Sequence, residues 1–86
     1  MRTSVKWLEQ QIEEANWALA SYSRPIRLVY GSYNSYHQIR HTTKEQIDKG
    51  QTGYNGIYTT GSTGECSAWL SAFITGLHAG LYNRRS

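Results

Sequence analysis

The chain is short of several residue types that usually steer a reading. Cys66 is its only cysteine among 86 residues. That excludes an intrachain disulfide and with it the stapled frameworks of small secreted domains. Pro25 is the only proline, so one backbone break is fixed by ring chemistry and the others must come from glycine and capping residues. No apolar run approaches the ~20 residues of a membrane span. The stretch MRTSVKWLEQQIEE turns polar and acidic where a signal peptide would need its apolar region. These absences lead us to expect one soluble, cytoplasmic domain over residues 1–86, with no membrane contact.

Reactive motifs are equally sparse. Glycines at 50, 53, 56, 61 and 64 suggest a phosphate loop, but GSTGE has neither the lysine nor the length of a Walker A sequence, and GxGxxG is absent. Glu65 would stand in the first turn of the following helix and repel an anion there. His37 and His41 would sit about 13 Å apart on a strand, too far to share a metal ion. Cys66, near a helix start where the dipole can lower a thiol pKa, is the one candidate for thiol catalysis. No spacing ties a histidine to it, and a cysteine on an apolar stripe is ordinarily a small core residue. We therefore expect no enzyme, no catalytic residue, no metal and no cofactor.

Charge is modest but uneven. The formal net charge is +3. Its excess sits in the middle of the chain, where Arg24, Arg27, Arg40, Lys44 and Lys49 face only Glu45 and Asp48. A basic patch draws phosphate or an acidic partner, although such an excess is also common on solvated surfaces.

What is present reads as a small α+β domain. Val5, Leu8, Ile12, Ala15, Leu19 and Tyr22 recur at alternating threes and fours, predicting a helix from about Ser4 to Tyr22, capped by Thr3 or Ser4 and ended by Pro25. Ile26–Tyr30 and Tyr36–Thr42 read as strands joined by a Gly31–Ser35 hairpin loop. Thr43-Lys44-Glu45-Gln46 is a capping box and Gly50 a natural C′ residue, predicting a short helix at 44–49. After a loop at Gln51–Asn55 comes a third strand, Gly56–Thr60. Ser62-Thr63-Gly64-Glu65 is a second capping box, opening a helix from about Thr63 to Tyr82, with Arg84 and Arg85 where a helix C-terminus favours cations. The expected architecture is a two-layer sandwich of two helices on a three-stranded antiparallel sheet, in the order α-β-β-β-α.

The last helix pairs an apolar stripe (Cys66, Trp69, Leu70, Phe73, Leu77, Leu81) with small residues on another face (Ala68, Ala72, Gly76, Ala79, Gly80). Interior glycines cost about 1 kcal/mol each relative to alanine. A close helix contact would offset that, and tight packing within the chain is the favoured reading. The small face, the seam of the first helix and a thin core together lead us to expect a homo-oligomer.

Aromatic residues supply the functional clue. There are seven tyrosines. Tyr30, Tyr33 and Tyr36 surround the hairpin, and Tyr54 and Tyr58 flank the glycine loop. The Tyr/Ser/Gly/Asn mixture of GSYNSY and TGYNG is that of protein-recognition loops. Part of the tyrosine content is ordinary strand packing. On a helical wheel Trp17 falls among Glu9, Gln10 and Glu13, either as an interface anchor or as cover for a neighbouring loop or strand end. Candidate partner-contact residues are thus Trp17, Tyr33, Tyr36, Arg40 and Tyr54. The alternative is a nucleic-acid or nucleotide surface of Arg27, Tyr36, Arg40 and His41, where rings stack bases and cations hold phosphates.

GIYTTGSTGECSAWLSAFITG, about a quarter of the chain, resembles a pattern of small phage-encoded accessory proteins, in which a short strand leads through G-[S/T]-x-x-E to an apolar helix. The resemblance implies a phage or mobile-element protein that inhibits a host or defence macromolecule by binding it. It assigns no residue a role.

Overall fold

The computed structural model describes residues 4–83, and the backbone alone at 81–83. Helix α1 (Val5–Ser21) leads into strands β1 (Ile26–Tyr33) and β2 (Tyr36–Thr43). Helix α2 (Lys44–Asp48), strand β3 (Gly56–Gly61) and helix α3 (Thr63–Asn83) follow. The three strands form one antiparallel sheet in the order β1-β2-β3. The result is the expected α+β fold, with α1 and α3 packed on one face of the sheet. Among the described residues no helix is long and apolar enough to cross a membrane.

Local sequence sets the helix ends. Ser4 Oγ accepts the Trp7 amide at 3.2 Å and starts α1. The helix closes before Pro25: Ser23 takes φ 57°, its amide donates to Ala20 O and the Arg24 amide donates to Leu19 O. That pair of bonds is a Schellman motif, which satisfies the terminal carbonyls. Both predicted capping boxes form. Gln46 N donates to Thr43 Oγ1 at 3.1 Å while Thr43 N donates to Gln46 Oε1 at 3.2 Å. Glu65 N donates to Ser62 Oγ at 3.1 Å while Ser62 N donates to Glu65 Oε1 at 3.0 Å. Gly50, at φ 75°, closes α2 as the C′ residue. Thr3, Arg84 and Arg85 lie outside the described residues.

The hairpin corrects the predicted five-residue loop. β1 runs on through Gly31, Ser32 and Tyr33, and Tyr33 pairs with Tyr36. Only Asn34 and Ser35 turn, both at positive φ (48° and 67°), as a type I′ connection requires. Tyr33 is therefore a strand residue.

The core is small and built from one stripe of each element. Leu8, Ile12, Ala15 and Leu19 of α1 meet Leu28 and Ile39 of the sheet and Cys66 and Leu70 of α3. Gln11 lies buried between the helices, donating through Nε2 to Ser71 Oγ at 3.3 Å. Its Oε1 has no hydrogen-bond partner among the described residues. Asn16 of α1 reaches the outer edge of β1. Its Nδ2 donates to Leu28 O at 2.9 Å, and Leu28 N donates to its Oδ1 at 2.7 Å. One side chain thus pairs both backbone groups of an edge residue, removing a template for another strand.

Candidate functional site: the open face of the sheet

Cross-strand partners share a face of the sheet. Leu28, Tyr30, His37, Ile39 and His41 point to the helices; Arg27, Val29, Gly31, Tyr33, Tyr36, Gln38, Arg40 and Thr42 point away. On β3 the phase changes at a bulge. Ile39 pairs with Thr59 but Arg40 pairs with Ile57, leaving Tyr58 as the extra residue. The bulge turns Ile57 to the open face, opposite Arg40. Tyr58 turns to the helix side, where it stacks between His41 (centroids 4.4 Å apart) and Trp69 (5.2 Å). Bulges commonly re-aim side chains in this way.

Arg40 organises the open face. Its guanidinium lies across Gly31, where a side-chain Cβ would collide with it. Its Nε donates to Gln38 Oε1 at 2.9 Å, and its Cζ stands 4.3 Å from the centre of the Tyr54 ring. A cation–π contact at an exposed site is worth about 0.5–1 kcal/mol. Arginine, Gln38 and the ring therefore hold one another, and the 51–55 loop is drawn onto the sheet. Gln38 and Thr42 are buried although no long helix covers them. Arg40 shields the first, and Gln46 of α2 accepts a hydrogen bond from Thr42 Oγ1 at 3.0 Å. Around this fixed centre stand Tyr33, Tyr36, Tyr54 and Ile57, at 64%, 59%, 44% and 45% exposure.

The predicted contact residues are thereby sorted. Tyr33, Tyr36, Arg40 and Tyr54 come together on one face. Trp17 does not join them: it stands on α1, in the opposite layer, 70% exposed. At that exposure it gives little cover to any neighbouring loop or strand end. Of the alternative set, Arg27, Tyr36 and Arg40 share the open face, whereas His41 points to the helices with one ring face against Tyr58. Arg27 and Tyr36 lie near opposite ends of the sheet, separated by roughly 20 Å at strand rise. Ile57 was missed, because its place depends on the bulge. Tyr22 and Tyr30 are structural: Tyr30 bonds His37 Nδ1 through its hydroxyl at 2.7 Å, and Tyr22 bonds His78 Nδ1.

One further expectation is corrected. The small face of α3 is not packed within the chain: Ala68, Ala72, Gly76, Ala79 and Gly80 are exposed, and no described atom outside the helix lies within 4 Å of where a Cβ of Gly76 or Gly80 would stand. Cys66 is a small core residue, as its place on the apolar stripe leads one to expect. It is buried in the core and its Sγ donates to His37 O at 3.6 Å. Burial pushes its pKa up and the neighbouring Glu65 carboxylate adds to that rise, outweighing the backbone hydrogen bond at Gly61. The Glu65 carboxyl itself is held below the usual range by the Ser62 amide and then by the Ser62 hydroxyl.

No protein-family model, curated protein or solved structure matches this chain.

Proposed function

We propose that this is a small non-enzymatic interaction protein that acts by covering a surface of a larger protein, with the open sheet face as its contact surface. One observation carries the reading: Tyr33, Tyr36, Tyr54 and Ile57 stand exposed on the same face around an arginine already fixed by Gln38 and Tyr54. Exposed rings offer large contact area at low entropy cost. Pre-set side chains also reduce the ordering that association requires. The resemblance to phage accessory proteins suggests a host or defence protein as the target.

The test is affinity capture from lysate of a bacterial host, with three variants in parallel. Wild type is expected to recover a stoichiometric protein, and Tyr33→Ser/Tyr36→Ser to lose it by at least about tenfold in affinity, since interface tyrosines are frequent hot spots. Gly31→Ala should weaken capture too, because the new methyl displaces the Arg40 guanidinium from Gln38 and Tyr54. Trp17→Ser should leave capture intact. Recovery of nucleic acid alone would sink the reading, as would loss through Trp17→Ser with the tyrosine variants unaffected.

A further inference from the structure

Beyond the hairpin tyrosines, at the other end of the sheet, an open groove of about 750 Å³ runs between the end of α1, the start of β1 and α2. Four of the five basic residues of the central segment line it: Arg24, Arg27, Lys44 and Lys49. Only Glu45 and Asp48 oppose them. Each of those carboxylates is already engaged within α2, Asp48 with Lys44 at 2.7 Å and Glu45 with Lys49 at 2.8 Å. The two arginines are left to define the groove. Arg27 donates through Nη1 to Arg24 O and Ile26 O, both at 2.7 Å. Those bonds fix the guanidinium and occupy two backbone carbonyls of the connection from α1 into β1. The Nε and Nη2 hydrogens of Arg27, and the whole guanidinium of Arg24, have no partner among the described residues. They are the fork donors that suit a carboxylate.

Resting on the protein-binding reading above, we infer that this groove receives an acidic segment of the partner protein, with carboxylates paired to Arg24 and Arg27. Two observations favour it. The first is area. Three strands about 4.8 Å apart and about 25 Å long give a footprint of roughly 350 Å² in plan, small for an interface that usually buries ~800 Å² of accessible surface on each side. A partner seated on the open face has to extend past it, and Arg27 belongs to both the face and the groove. The second is charge. The groove carries an excess of two positive charges in one place and not a stripe along the molecule. A nucleic-acid strand would also want exposed rings beside the cations, yet the ring stack of His41, Tyr58, Trp69 and Phe73 is on the helix side, its members facing one another. The exposed tyrosines of the hairpin stand roughly 20 Å from Arg27, and the Tyr54 ring is already engaged by Arg40.

The full chain, isotopically labelled, is titrated at low salt with hexaglutamate and, separately, with an oligothymidylate. Hexaglutamate should shift the amides of Ser23, Arg24, Arg27 and Lys44 saturably and leave Tyr33 and Tyr36 unmoved. Arg24→Gln/Arg27→Gln should weaken this roughly tenfold. Because Arg27 also supports the backbone, Arg24→Gln alone serves as a second variant with an intact spectrum, and a severalfold loss is expected from it. Absence of saturable shifts, shifts spread over the whole basic surface, or tighter binding of oligothymidylate than of hexaglutamate would each overturn the inference. Tyrosine-dependent capture of a partner unaffected by the arginine changes would overturn the groove alone. Capture insensitive to the tyrosines would overturn the reading beneath it.

Discussion

Ile39 and Arg40 are neighbours in β2 and stand in opposite environments. Ile39 is fully buried beneath the helices. Arg40 lies flat over Gly31 on the other side, beside Tyr54. The covered face is held by close-packed aliphatic contact, which tolerates little loss. The open face is held by one arginine spread over a glycine and tied to Gln38, an arrangement of modest energy that fixes shape. The first face determines whether the protein folds, the second what a folded protein presents. Substitutions one residue apart should therefore separate stability from binding.

The largest expected effect tests that separation directly. Ile39→Ala should cost 2–5 kcal/mol, the usual range for truncating a fully buried aliphatic residue. Among the described residues eight buried side chains form the core cluster, so a loss of that size is a large share of the ~5–15 kcal/mol that holds a typical domain together. Arg40→Ala should cost about 1–2 kcal/mol, the worth of an exposed cation–π contact and one charge-assisted hydrogen bond, while reducing partner capture at least as much as Gly31→Ala does. Urea denaturation of both variants measures the difference. Equal destabilisation would mean that the two faces are not energetically distinct.

Asn16 stands at the border of the comparison, at the sheet edge beside α1. Asn16→Ala leaves the Leu28 amide and carbonyl without their partner. The expected loss is about 1–3 kcal/mol. The bare β1 edge should also promote association through strand pairing, read as a concentration-dependent rise in mass by light scattering. A destabilised variant that stays at its original mass would show that the asparagine serves only to hold α1 on the sheet.

Much of the helical framework is legible because its signals are local. Ser62 and Glu65, like Thr43 and Gln46, lie three residues apart and close on one another whatever the rest of the chain does. The periodicity of α1 likewise predicts its buried stripe. The open face was only half legible. The run Gly31–Ser35 reads as one hairpin loop, whereas only Asn34 and Ser35 turn, both at positive φ with no glycine between the strands there. Tyr33, Tyr36, Arg40 and Tyr54 were recognised by residue type, but Ile57 was not. Its direction is set by the Tyr58 bulge, which places the Tyr58 ring against His41 and Trp69, contacts between residues far apart in sequence. Trp17 shows the converse: its exposure was readable on a helical wheel, its distance from the tyrosine face was not.

The smallest effect concerns the start of α3, which closes the covered face from the far side. Glu65 titrates lower in the folded chain because its carboxylate accepts the Ser62 amide and hydroxyl. The unfolded chain therefore takes up a proton first as pH falls through the ordinary glutamate range, about 4.3. Stability from this group is present above that range and is lost as pH drops toward the folded pKa. Glu65→Gln keeps an acceptor for the Ser62 amide but cannot titrate. Wild type should be the more stable of the two near neutrality, with the gap closing below about pH 4. Chemical denaturation of both proteins across that interval measures it. Binding through the open face should differ little between them at any pH where both are folded, since Glu65 caps a helix in the opposite layer. A gap independent of pH would remove the carboxylate from the capping energetics, and a binding difference as large as the stability difference would show that the two faces are coupled through α3.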